Sequence, residues 1–178
     1  MGGIVLEPFG ESHLEATAAL VADPAVQRFT RIPVPPPPDF AKTWLRAYEE
    51  GRKDGTREGF AVVDATDGAF VGIAVAARIN REALTAELGY VVARAARGRG
   101  IATLALGLLT EWGFSSLGAL RLELLISVDN EASKHVAARC GYVREGVLRS
   151  LHFKQGLRED TEIWSRLPGD PVYAPGAR

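Results

Sequence analysis

Hydrophobic periodicity predicts a protein of the α/β class (α+β type), with a mixed, mostly antiparallel sheet of six to seven strands flanked by about four helices. Two stretches carry that expectation. Residues 59–93 run with a period of two, as an antiparallel meander, and residues 101–167 then alternate helix, strand, helix and two strands. A meander followed by this alternation excludes a doubly wound parallel sheet. The 178 residues suffice for one domain with a core of its own. We take that domain as 1–167, followed by a loose Pro- and Gly-rich tail over 168–178.

Each element has its own signal. Ile4-Val5-Leu6 is long enough only for an edge strand. Ser12 and Glu15 have capping-box spacing, and Leu14, Ala18 and Val21 follow at helical intervals, predicting a helix over 12–22 that Asp23-Pro24 stops. Four consecutive prolines, Pro35 to Pro38, enforce extended backbone. They read as a PxxP ligand for an SH3-type partner or as a stiff loop delivering the next helix, and Asp39, a natural N-cap, favours the loop. Over 39–53, Phe40, Trp44 and Tyr48 form an aromatic helical stripe, either core or, with the Pro-rich loop, a lid over a pocket. Strands at 60–63 and 70–75 flank a turn ending in Asp67-Gly68, and a third strand covers 85–93. Helix 101–117 places Ile101, Leu104, Ala105, Leu108, Leu109 and Trp112 within an arc of about 140°. Strand 120–127 alternates cleanly. Helix 131–139 aligns Ala132, Val136 and Cys140 and stops at Gly141, and strands at 142–149 and 160–167 complete the fold.

Composition excludes several function classes. Lys and Arg total 21 against 22 Asp and Glu, so no global basic field recruits nucleic acid or anionic lipid. The lone cysteine, Cys140, forbids an intramolecular disulfide framework, and three scattered histidines make no metal site. No apolar run approaches the roughly 20 residues of a membrane span. The start lacks both the cationic lead of a secretory signal and the Ser or Thr of a myristoylation site. A cytoplasmic protein is expected.

Chemistry concentrates in Tyr90-Val91-Val92-Ala93-Arg94-Ala95-Ala96-Arg97-Gly98-Arg99-Gly100-Ile101-Ala102, a strand running through a glycine-rich turn into a strongly patterned helix. Gly98 and Gly100 permit positive φ. Free N–H groups at the turn and the helix start then make an anion site to which Arg94, Arg97 and Arg99 add charge, and a diphosphate suits it. A Walker loop would need Gly-Lys-Ser/Thr, which is missing. The dinucleotide fingerprint would need Gly or Ala where Thr103 stands.

Arg97-Gly98-Arg99-Gly100-Ile101-Ala102 resembles the Arg/Gln-x-x-Gly-x-Gly/Ala signature of the GNAT acyltransferase superfamily, which cradles the diphosphate of acetyl-CoA. Ala86-Glu87-Leu88-Gly89-Tyr90, Val128-Asp129-Asn130-Glu131-Ala132-Ser133, Arg139-Cys140-Gly141-Tyr142 and Arg158-Glu159-Asp160-Thr161 are similar to the RimJ/RimL-type branch, which acetylates protein N-terminal amines and some small amines. The resemblance covers about 4–167 and implies acetyl-CoA as cosubstrate, an amine acceptor and a possible homodimer. It further implies that the backbone of Tyr90, Val91 and Val92 pairs with the pantetheine arm and that amides of Arg97, Gly98, Arg99, Gly100, Ile101 and Ala102 hold the diphosphate. Asn130 would bond the pantetheine, Ser133 would meet the departing sulfur, and Lys134 or Arg139 would reach the adenosine phosphate.

The residue types suit that chemistry. Amine attack on a thioester needs a neutral amine. An α-amine titrates near ~7.7–8.0 and a lysine amine near ~10.4, a gap of about 3.4 kcal/mol in deprotonation cost. A modest base therefore suffices for an α-amine, and Glu87, directly or through water, is the candidate, its alternative being a solvent-facing strand carboxylate. A thiol leaves easily, so Ser133 should matter less, and it reads alternatively as a helix cap. On the acceptor side the candidates are Phe29 and Trp44 in the 29–48 segment and His152 and Asp160 around a 150–160 loop. Cys140 reads as a buried structural thiol. The leading function is N-acetylation of a protein N-terminus; the alternatives are a small amine (aminoglycoside, polyamine or amino acid) as acceptor, or a non-catalytic acyl-CoA sensor.

Overall fold

The computed structural model describes residues 3–171; Met1, Gly2 and 172–178 lie outside the described residues, and most of the expected loose tail lies with them. Seven strands form one sheet in the order β1-β2-β3-β4-β5-β7-β6. They are β1 (Ile4–Pro8), β2 (Glu58–Asp64), β3 (Phe70–Asn80), β4 (Thr85–Val92), β5 (Arg121–Ser127), β6 (Val143–Lys154) and β7 (Leu157–Arg166). Every neighbouring pair is antiparallel except β4–β5. That one parallel pair needs a crossover connection, and helix α4 (Ile101–Ser115) supplies it.

Alternation along the strands sorts side chains onto two faces. One face, carrying Ala74, Ala86, Leu88, Leu122, Leu124 and Ile126, packs against α4 and α5 (Glu131–Arg139) in the largest apolar cluster. Leu106, Leu109 and Leu122 are fully buried there, each contributing about 1.5–3 kcal/mol of transfer free energy. The opposite face carries Ala61, Val63 and Ile73 and packs against α1 (Leu14–Val21), α2 (Pro24–Phe29) and α3 (Phe40–Asp54) in two smaller clusters. Strand β6 lies at the sheet edge, pairing with β7 alone.

Three departures from the sequence reading have physical causes. The Ser12–Glu15 capping box does not form. Instead Gly10 N donates to His13 Nδ1 (3.2 Å), the imidazole stacks on Phe9, and a short 3-10 turn over Glu11–His13 leads into α1. Asp23-Pro24 does end α1, but it also starts α2, because Asp23 Oδ1 accepts from Ala25 N (2.8 Å) and Pro24 sits where a helix tolerates proline. The expected 150–160 loop is strand: β6 and β7 continue through it to a turn at Gln155-Gly156. The Pro-rich segment is a connector without regular structure, with a cis Val34–Pro35 bond, and it hands the chain to α3. Among the described residues no helix is long and apolar enough to cross a membrane.

Candidate active site

The sheet opens in its middle. β4 and β5 are in register only from Thr85 opposite Arg121 to Leu88 opposite Leu124. β4 nevertheless stays paired with β3 as far as Val92, and β5 with β7 as far as Ser127. From Gly89 to Val92, backbone groups directed toward β5 therefore have no strand to bond, which leaves room for an extended chain with amides of its own. Arg97 Nε takes the Val92 carbonyl (3.0 Å) at the end of this run.

A turn rich in free donors follows directly. Gly98 and Gly100 have φ of +75° and +79°, and a Cβ at either position would meet no atom within 4 Å, so left-handed backbone and not crowding is what calls for glycine there. The first backbone bond of α4 runs from Leu104 N to Gly100 O (3.1 Å), so the N–H groups of Gly98 to Thr103 make none to backbone among the described residues. Positive charge is less available than the sequence implies. Arg97 pairs with Asp23 (2.8 Å) and Arg99 with Asp64 (3.1 Å). Each carboxyl is held below its ordinary range first by a backbone N–H, of Ala25 or Thr66, with the arginine adding to it. The turn is thus an amide cradle with Arg97 and Arg99 latched to carboxylates. Donors, glycines and the open strand together fit the diphosphate and pantetheine arm of a coenzyme A thioester.

Across the opening lies α5. Asn130 caps it, its Oδ1 accepting from Ser133 N (3.1 Å), which leaves the Asn130 amide N–H groups for another acceptor. The Tyr90 hydroxyl is buried without a hydrogen-bond partner among the described residues. Burial pushes this phenol up to about 12, with the nearby Ser133 hydroxyl opposing the shift. Ser133 is therefore held by its amide and keeps its hydroxyl beside the opening. Lys134 is spent locally: its Nζ bonds the Val128 carbonyl (2.8 Å) and pairs with Glu131. Cys140 is buried against the Thr103 carbonyl, and burial pushes its thiol up to about 11, which marks it as structural.

Glu87 stands on the other sheet face, two residues before the opening, its side chain only 11% exposed. Its Oε1 accepts from Arg31 Nη2 (2.7 Å), and Arg78 Nη2 lies 3.4 Å from Oε2. A bulge in β3 between Ala76 and Arg78 shifts the register so that Arg78 faces Glu87 across the ladder. Arg31 also donates from Nε to His152 Nε2 (3.2 Å). A guanidinium can only donate, so the His152 ring proton resides on Nδ1, which donates to the buried Thr161 hydroxyl (2.8 Å). Burial and then the Arg31 charge hold His152 below its ordinary pKa, so the ring is neutral at pH 7. Lys154, two residues further along β6, donates to the carbonyls of Gln27 and Thr30 (2.6 Å to the latter) and ties the hairpin to the end of α2.

The structure brings Glu87 and His152 together but gives other acceptor-side candidates different work. Of the aromatic stripe, Tyr48 is buried, whereas Trp44 packs edge-on against Phe9 (5.0 Å) and against Tyr48 (4.3 Å) and is itself only partly buried. Asp160 Oδ1 accepts from Ser150 N (2.8 Å), holding the irregular stretch of β6 where the register shifts between Leu148 and His152. Phe29 is half-buried at the end of α2 under the Arg28 guanidinium (4.9 Å). Arg31 and Arg78 escaped the sequence reading. Arg31 lies in no motif, and Arg78 reaches Glu87 only through a bulge that its neighbours do not announce.

Comparison with known proteins identifies the family and the fold. Residues 4–143 match the Acetyltransferase (GNAT) domain family. The chain is 29% identical over 124 residues to the uncharacterized N-acetyltransferase YoaA of Bacillus subtilis (strain 168), covering 70% of this chain and 68% of the relative. It is 28% identical over 109 residues to the spermidine N(1)-acetyltransferase of Escherichia coli (strain K12), covering 61% of this chain and 58% of that one. Its fold superposes with a TM-score of 0.84 on the RimL ribosomal L7/L12 alpha-N-protein acetyltransferase in complex with coenzyme A, at 21% identity, covering 93% of this chain and 94% of the other. An amide cradle behind a half-open strand pair, carried on a sequence matched over most of its length, places this chain in the GNAT family, RimJ/RimL-type branch, as an acetyl-CoA-dependent N-acetyltransferase.

Proposed function

We propose that the acceptor is the α-amine of a protein or peptide N-terminus, which attacks acetyl-CoA directly in a ternary complex. The observation that carries this reading is the unpaired run Gly89–Val92 lying between the Gly98–Thr103 amides and Glu87. Main-chain groups of Tyr90, Val91 and Val92 that face the opening, apart from the Val92 carbonyl already taken by Arg97, hold the pantetheine arm, with the Asn130 side-chain amide as a further donor. Amides from Gly98 to Ala102 hold the diphosphate. Arg97 and Arg99 contribute through backbone, since their side chains are paired with Asp23 and Asp64. Lys134 is left out because its ammonium is engaged beside its own helix. Bound acetyl-CoA supplies the thioester carbonyl that the amine attacks.

Glu87 receives the amine's proton, directly or through one water. Its carboxylate is oriented by Arg31 and Arg78, and neutral His152 shares the Arg31 guanidinium. The Ser133 hydroxyl lies on the side of the opening where the thiolate departs, its backbone fixed by Asn130. An α-amine, about 2.5 units easier to deprotonate than a lysine amine, suits a carboxylate of this kind. Resemblance to a spermidine acetyltransferase favours a second reading, a small polyamine acceptor. Incubation with acetyl-CoA and a panel of peptides and small amines, scored by coenzyme A release and acceptor mass, distinguishes the two. A gain of one acetyl group on peptide N-termini is expected, and acetylation confined to small amines overturns the N-terminal assignment.

A further inference from the structure

On the acceptor side, most carboxylates are already paired from within. Glu87 is bound by Arg31 and Arg78, and Glu123 and Glu145 share Arg121 at 2.6 and 2.5 Å. On the hairpin, Glu159 faces His152 across the ladder and lies near Lys154, whose ammonium it partly balances. Asp160 accepts a backbone N–H, and Asp129 lies 3.9 Å from Arg28. A polycation entering here meets carboxylates of which, among the described residues, Glu87, Glu123, Glu145 and Asp129 are already ion-paired, and at Glu87 it meets two guanidiniums.

Arg31 differs from the other cations in how it is mounted. Its Nε and Nη2 are taken by His152 and Glu87, while Nη1 makes no hydrogen bond among the described residues, and the side chain is 52% exposed. The backbone just before it is fixed, because Lys154 holds the carbonyls of Gln27 and Thr30, and Thr30 Oγ1 donates back to the Val26 carbonyl (2.7 Å). One edge of a planar fork is thus clamped beside the proposed base while the other faces outward, the arrangement that lets arginine take a carboxylate. Arg78, with its side chain 74% exposed, adds a second positive charge on the same side of Glu87.

We propose that Arg31 selects the acceptor, binding an anionic group next to the reactive amine, and that this protein favours acidic peptide N-termini and disfavours polyamines. This inference rests on the α-amine reading given above. The same positive charge disfavours the ammonium form of an amine placed beside it, which assists loss of the proton that attack requires. Arg31 acts as a specificity-determining residue on the acceptor, whereas proton removal stays with Glu87.

The test uses the intact protein loaded with coenzyme A and two hexapeptides that begin with serine and differ at the second and third positions, Asp-Asp against Lys-Lys. Calorimetry gives both dissociation constants, and steady-state acetylation gives both KM values. At low salt the acidic peptide is expected to bind at least tenfold tighter. Arg31→Gln should compress that ratio below threefold and improve use of spermidine, while Arg31→Lys, which keeps the charge and loses the fork, should retain part of it. Equal binding of the two peptides by the wild type, tighter binding of the basic peptide, or an undiminished ratio in a folded Arg31→Gln protein overturns the inference. The wild-type ratio decides the sign even where a variant fails to fold. Acetylation of small amines with no peptide gaining mass overturns the N-terminal acceptor instead. The Arg31 inference is then decided by free aspartate against spermidine: preference for aspartate upholds it, and equal use or preference for spermidine overturns it.

Discussion

The two halves of β4 sit in one strand and behave differently. Thr85–Leu88 is paired on both sides, with β3 and with β5, whereas Gly89–Val92 is paired with no strand but β3. The first half anchors the fold, with Ala86 and Leu88 buried beneath α4. The second half leaves main-chain groups free in a sheet interior, where unpaired donors and acceptors are costly unless a ligand or water meets them. A strand held firmly at one end and open at the other gives a ligand's backbone a rigid template, and Glu87 stands close to the boundary. Rigidity and openness come from the same strand.

Three substitutions probe this contrast. Glu87→Gln, at the boundary, should lower kcat by roughly 10²–10⁴-fold while leaving coenzyme A affinity unchanged, because removal of a positioned base affects proton transfer and not the amide cradle. Calorimetry beside steady-state kinetics checks this, and a variant with wild-type kcat would remove Glu87 from the mechanism. Leu88→Ala, in the closed half, should cost about 2–5 kcal/mol of stability by denaturant titration, since it empties a core position that is 3% exposed. A cost below 1 kcal/mol would mean that the closed half is not the anchor. Tyr90→Phe, in the open half, should change stability by no more than about 0.5 kcal/mol, or raise it slightly. Its hydroxyl is buried with no hydrogen-bond partner among the described residues. A marked drop in Tm would show that the hydroxyl is bonded after all, to Ser133 or to a bound water.

Much of this was legible because it is local. Gly98 and Gly100 announce a turn needing positive φ, Gly141 a helix stop, and the apolar register of 101–117 a helix with one buried face; each depends on a few neighbouring residues. Local reading failed where one signal served two ends or where a distant partner intervened. Asp23-Pro24 looked like a terminator and also proved to be an N-cap. Ser12 had capping spacing, but His13, stacked on Phe9, took the amide that starts the turn. The hairpin beyond Ser150 looked like a loop because β6, an edge strand, has few buried positions and so shows no clean alternation.

The candidate site divides in the same way. Its proposed cofactor side lies in two short stretches, 89–103 and 130–133, whose glycines, asparagine and serine belong to local geometry, so sequence alone could propose it, while the family and the sheet were determined by sequence outright. Its acceptor side joins Arg31, Arg78, Glu87, His152 and Thr161 from segments far apart in the chain. Only the tertiary structure decided that Glu87 is shared by two guanidiniums and that Trp44 packs against Phe9 and Tyr48. The reason is physical: ion pairs and hydrogen bonds between remote segments depend on strand register, a bulge and the docking of α2 on a hairpin. A residue's chemical type says what it can bond, and the assembled fold says which partner it meets.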